Sequence, residues 1–94
     1  MFEWDEAKSE ANLLNRGFDF AHAAGIFAGP VLEIDDARAD YGELRVQAIG
    51  KAGPDFLFVV YTWRGDVRRI ISARLANRKE RKIYGKVFGG TGAP

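Results

Sequence analysis

Apolar residues change their spacing twice along these 94 residues, dividing the chain into helical, extended and again helical stretches. Phe2-Glu3-Trp4 alternates, the spacing of a short edge strand. Asp5 stands at an N-cap position, and Glu6 suits the first turn behind it. Ala7, Ala11 and Leu14 recur at helical spacing, Leu13 widens the stripe, and Gly17 falls just past the helix end. A second helix is predicted from an Asp19 cap, with Phe18 placed to staple onto Ala23. Ala23, Ala24, Ile26 and Phe27 form its buried face, and Gly29-Pro30 ends it.

The period then falls to two. Val31 to Ile34 reads as a strand, Asp35 to Gly42 as a polar loop, and Leu44, Val46 and Ala48 as the next strand. After a turn at Lys51–Asp55, Phe56 to Trp63 is an almost unbroken β-branched and aromatic run, the pattern of a central strand covered on both faces. Gly65-Asp66 is a hairpin turn of the Gly-X kind, and Val67 to Ala73 returns antiparallel. The last element is a helix capped by Asn77, with Glu80 completing a capping box. Ile83, Tyr84, Val87 and Phe88 make its apolar stripe; Arg78, Lys79, Arg81, Lys82 and Lys86 occupy the rest. Helices before and after a meander predict an α+β fold: two N-terminal helices, an antiparallel sheet of three to five strands and a C-terminal helix. Residues 1–88 are predicted to form one domain and 89–94 a flexible tail.

Charge changes the picture more than composition does. The net formal charge is only +1, but up to Glu43 three cations face ten anions, and beyond it eleven cations face three. Two opposed halves of −7 and +8 imply a cationic face made for a polyanion, nucleic acid being the commonest. The absence of cysteine excludes disulfides and thiolate metal sites and fits a cytoplasmic setting. No apolar run approaches the ~20 residues of a membrane span. Asp35, Asp36 and Asp40 match no metal-ligand pattern and no glycine-rich phosphate loop is present, so neither a metal nor a cofactor is expected.

The candidate chemistry sits on the last hairpin. Arg64, Arg68, Arg69 and Arg74 lie along it, Arg69 and Arg74 among apolar residues and with few acids nearby in sequence. Across a two-residue turn Arg64 faces Val67, Thr62 faces Arg69 and Val60 faces Ile71, which sends Arg68, Ile70, Ser72 and Arg74 to the other face. A three-residue turn shifts this by one, so the division of arginines between faces stays open. Guanidinium groups grip phosphate in two-pronged fashion and hold their charge at every working pH. Glu80 and Lys8 are further candidates for proton transfer, although a helix cap and solvent exposure are the readier explanations of the two. Tyr84 is read as open enough to stack on a base, and Tyr61 as core. His22, the sole histidine, lies on a short helix far from the basic block.

Several strings resemble one known family. Trp4-Asp5-x-x-Lys8-x-x-x-Asn12, Gly17-Phe18-Asp19-Phe20-x-x-Ala23, and the Gly42-Glu43-x-Arg45 segment are similar to those of the BrnT toxins. The most specific match is Val60-Tyr61-Thr62-x-Arg64-Gly65 followed by Arg69-Ile70-Ile71-Ser72-Ala73-Arg74, continuing to Glu80-Arg81 and Tyr84. One departure is Asn15-Arg16-Gly17, where that family often carries Lys-His-Gly. The resemblance implies a RelE-like fold, a ribonuclease toxin of a type II toxin–antitoxin pair, and a BrnA-like antitoxin with a ribbon-helix-helix portion. Operator DNA would be reached only through that antitoxin. On this reading Arg64, Arg69 and Arg74, with Lys8, Glu80 or Tyr84, carry metal-independent attack of the RNA 2′-hydroxyl, and Arg68, Arg78, Arg81 and Lys82 bind RNA. Two rival readings are a non-catalytic nucleic-acid-binding module and a partner-binding module with a cationic face.

Overall fold

A computed structural model describes residues 1–36 and 43–89. Its elements run β1 (Phe2–Trp4), α1 (Glu6–Arg16), α2 (Phe20–Ala24), a 3₁₀ turn (Gly25–Ala28), β2 (Leu32–Asp36), β3 (Arg45–Ala52), β4 (Asp55–Arg64), β5 (Val67–Leu75) and α3 (Arg78–Val87). The strands form one sheet in the order β1-β5-β4-β3-β2. The sheet is mixed, not purely antiparallel: β1 pairs with β5 in parallel, because the intervening helices carry the chain from one edge of the sheet to the other.

Local chemistry sets the helix ends as the sequence predicts. The Asp5 carboxylate accepts from Lys8 N, and Gly17 closes α1 at φ +89°, a conformation that favours glycine. Asp19 caps α2 at His22 N. The second helix is shorter than its apolar pattern predicts and tightens into the 3₁₀ turn at Gly25. Asn77 and Glu80 form the full capping box of α3.

Strand boundaries differ more. β2 extends through Asp35 and Asp36, which the sequence reading placed in a loop; the remainder of that loop, with Arg38, Asp40, Tyr41 and Gly42, lies outside the described residues. So does the tail from Gly90, leaving only Gly89 of the predicted 89–94 segment described. β3 and β4 pair as far as Ala52 and Asp55, so their turn is only Gly53-Pro54.

The sheet separates two apolar clusters. On one face Val46, Ala48, Leu57, Val59, Tyr61, Ile70 and Ala73 pack against Phe20, Ala23 and Ile26. On the other, α3 covers only one end, where Tyr84 and Phe88 meet Ile49, Phe56 and Phe58. The predicted central strand is therefore β4, and its second face is covered over part of its length.

Candidate nucleic-acid interface

The uncovered part of the second face is where the predicted arginines meet. Alternation on β4 places Phe58, Val60, Thr62 and Arg64 on this side, and their partners on β5 are Arg74, Ser72, Arg69 and Val67. Arg64, Arg69 and Arg74 thus share one face. The predicted pairing holds from Arg64–Val67 to Thr62–Arg69, then fails: the register shifts between Val60 and Tyr61, leaving Ile71 as an extra residue in β5. This β-bulge turns Ser72 and Arg74 over to the face of Arg69. Across the neighbouring strands the same face presents Glu3, Gln47, Arg45, Ile34 and Asp36. Its floor is Ser72, Val60, Gln47 and Ile34, between an outer row led by Arg69 and an inner row ending at Arg74 and α3. The two arginine rows stand about 14 Å apart at ~3.4 Å per strand residue.

Each of the three arginines is nevertheless held by a carboxylate: Glu3 and Glu43 come from distant parts of the chain, and Glu80 lies six residues beyond Arg74. Arg69 Nη1 donates to Glu3 Oε2 at 2.9 Å. Arg74 donates from Nη1 and Nη2 to both oxygens of Glu80 at 2.9 and 2.8 Å, and from Nη1 to the Leu75 carbonyl. Its guanidinium also lies 4.0 Å from the Phe58 ring centroid. Arg64 stands 3.6 Å from Glu43, which also meets Arg45 at 3.5 Å. The guanidiniums are still reachable: 55% of the Arg64 side chain, 31% of Arg69 and 37% of Arg74 is exposed. Pairs this open are worth only ~0–1 kcal/mol. Arg69 spends one donor on Glu3, and Arg74 keeps its Nε–H and one Nη2–H for another acceptor.

The other predicted site residues divide. Glu80 accepts from Arg74 and from Asn77 N. The Arg74 hydrogen bonds hold its carboxyl below the usual glutamate value of 4.5; burial opposes this and the Asn77 N–H adds to it. Glu80 is therefore a fixed anion that orients Arg74 and caps α3. Tyr84 is not open as predicted: it is 3% exposed and its hydroxyl donates to the Pro30 carbonyl. Packing of α3 on Ile49 and Phe56 removes it from any base. Lys8 is exposed on α1 and lines a cleft with Ser72 at the β5 edge.

Arg68 is separated from the group. It faces the opposite side of the sheet, with its guanidinium 4.3 Å from the Phe27 ring, 4.7 Å from Trp63 and 5.4 Å from Tyr61. Tyr61 donates to Glu33, and its phenol is pushed above 10.0 mainly by burial and then by that bond, with Arg68 opposing. Arg78 and Lys82 are exposed and fall on the side of α3 turned from Glu80 and Tyr84, whereas Arg81 flanks that stripe and donates to the Ala76 carbonyl. His22 meets Asp55 at 3.0 Å beside the β3–β4 turn, away from the arginine face.

The sequence reading missed Glu3, Glu43, Arg45, Gln47 and Ser72 as members of this face. Glu43 and Arg45 carried a local signal through their family-like segment, and Ser72 through the Arg69–Arg74 string; Glu3 and Gln47 carried none. Among the described residues no three His, Cys, Asp or Glu side chains are grouped as metal ligands are, and no helix is long and apolar enough to cross a membrane. Compared with known families, residues 4–80 match the one described as ribonuclease toxin, BrnT, of type II toxin–antitoxin system. No curated protein matches the chain.

Proposed function

The chain belongs to the BrnT family of ribonuclease toxins from type II toxin–antitoxin systems, and from that premise we propose that it cleaves RNA on its arginine face without a metal ion. Membership brings with it an RNA substrate and an antitoxin partner. The observation that carries the site is the bulge at Ile71, which brings Arg74 onto the face of Arg64 and Arg69, around one open floor.

An RNA strand laid across Ser72, Val60 and Gln47 has its phosphate between guanidiniums that keep unused donors. The RNA 2′-hydroxyl attacks the adjacent phosphorus and gives up its proton to solvent, the P–O5′ bond breaks and the 5′-oxygen takes up a proton, and the products are a 2′,3′-cyclic phosphate and a 5′-hydroxyl. Charge that develops on the equatorial oxygens meets donors already fixed by Glu3, Glu43 and Glu80, so little reorganisation is needed. Of the predicted proton carriers, Glu80 is committed to Arg74 and Tyr84 to Pro30. Lys8, at the rim beside Ser72, is left as the group able to protonate or neutralise the leaving oxygen.

The finer biology follows from the same reading. The protein acts in the cytoplasm, where its cleavage of RNA inhibits translation and growth, and it is silenced by a BrnA-like antitoxin that also contacts operator DNA. The α+β arrangement, with α2 packed on one face of the sheet and α3 on the other, is read as RelE-like. Induced expression tests this: growth arrest with loss of intact RNA, relieved by the neighbouring gene, supports it. Normal growth with intact RNA contradicts it.

A non-catalytic RNA-binding module is favoured by one observation, the carboxylate already on each of Arg64, Arg69 and Arg74. It predicts salt-sensitive RNA binding with no cyclic-phosphate product.

A further inference from the structure

Beyond the arginine face, α1 and the edge of β5 enclose a cleft of about 420 Å³. β1 ends at Trp4, opposite Ile70, so from Ile71 onward β5 is an open edge on the side away from β4. Into that gap α1 turns Lys8, Ala11, Asn12, Asn15 and Arg16, a single face of the helix at spacings of three, four, seven and eight. Phe20 closes the back, and Ile71 and Ser72 form the strand side.

The lining is unusual for this half of the chain. Up to Glu43 there are three cations against ten anions, yet two of those cations, Lys8 and Arg16, line this cleft and no carboxylate does. Among the described residues neither side chain has an ion pair. Asn12 is anchored by its Nδ2 donating to the Phe18 carbonyl at 2.9 Å, whereas Asn15 is exposed. Lys8 and Arg16 stand at opposite ends, about 12 Å apart along the axis at 1.5 Å per residue. Ser72 belongs both to this cleft and to the arginine floor, so the two meet at that residue on the sheet edge.

We propose that this cleft is an RNA subsite, holding the nucleotide next to the scissile link. Arg16 binds the phosphate at the far end, and Asn15 hydrogen-bonds the ribose or base. The inference rests on the RNA-cleaving reading and adds to it a second anchoring point, on the N-terminal helix. An acidic peptide is the other ligand such a lining suits. The meeting with the arginine floor at Ser72 favours RNA.

The test is binding of a short single-stranded RNA with 2′-fluoro riboses, which cannot be cleaved, to the full chain over a salt series. The expected result is that Arg16→Ala weakens binding and lowers the slope of log K against log salt by about 0.7, one phosphate on a single strand. Arg16→Lys keeps the slope, and Asn15→Ala weakens binding several-fold without changing it. Arg16 is exposed at the end of α1, and thermal melts check that the variants fold. Wild-type protein that binds the RNA with a slope untouched by Arg16→Ala overturns the subsite alone, as does an Arg16→Ala effect seen only on partner binding. Wild-type protein that neither binds nor cleaves RNA overturns the subsite and the function together.

Discussion

Arg69 and Arg74 lie on the same face of the sheet although they are five residues apart on one strand. In a regular strand an odd separation puts side chains on opposite faces. The extra residue at Ile71 makes the difference even, and both guanidiniums reach one floor through a single irregularity.

Both arginines should therefore be needed for the same step. Arg69→Ala and Arg74→Ala are each expected to lower the single-turnover rate of RNA cleavage by about 10²–10³, the usual loss for one transition-state donor. Lysine replacements should recover only part, since a point charge does not reproduce a planar fork. Rates within a factor of two of wild type in either alanine variant would remove that arginine from the chemistry.

Glu80 should matter to stability in a pH-dependent way. Its folded pKa lies below 4.5, so its contribution is complete above that pH and is lost as pH falls through the folded value. Glu80→Gln should cost about 1 kcal/mol at neutral pH, a modest figure because Arg74 is 37% exposed. The gap between wild-type and variant melting temperatures should close in acid. A gap that stays constant across pH 4.5 would show that the ion pair contributes nothing.

Arg68 faces away from the proposed site, so Arg68→Ala should leave RNA cleavage unchanged. Removing a cation from three rings should lower stability by about 1–3 kcal/mol. Because Arg68 holds the Tyr61 phenol down, the ultraviolet titration of that tyrosine should move further above 10.0. Loss of cleavage without loss of stability would restore Arg68 to the site.

Gly50 has no room for a side chain: a Cβ there would stand 3.0 Å from Ile26 Cβ, and Ile26 is fully buried. Gly50→Ala is expected to destabilise by about 1–3 kcal/mol, measured by denaturant unfolding. An unchanged midpoint would mean that the 3₁₀ turn yields at no cost.

The legible parts of the fold were those written in nearby residues. Asp5, Asp19 and Asn77 mark helix starts because a cap is a contact across three positions. The hairpin was legible from Gly65-Asp66. The bulge was not, since nothing in Arg69-Ile70-Ile71-Ser72 distinguishes an extra residue from regular alternation. The ion pairs were hidden for another reason: Glu3 is 66 residues from Arg69 and meets it only because β1 joins the sheet in parallel. Tyr84 was misread as open because an amphipathic stripe does not say how deeply the helix docks.

The central claim is metal-independent RNA cleavage by guanidiniums on one face. Its most direct measurement is incubation of purified protein with a defined RNA in excess EDTA, with the products' ends identified. The account predicts 2′,3′-cyclic phosphate and 5′-hydroxyl ends from wild type, and intact RNA from the Arg64, Arg69 and Arg74 triple alanine variant. Cleavage that needs added metal, or that persists in the triple variant, would contradict it.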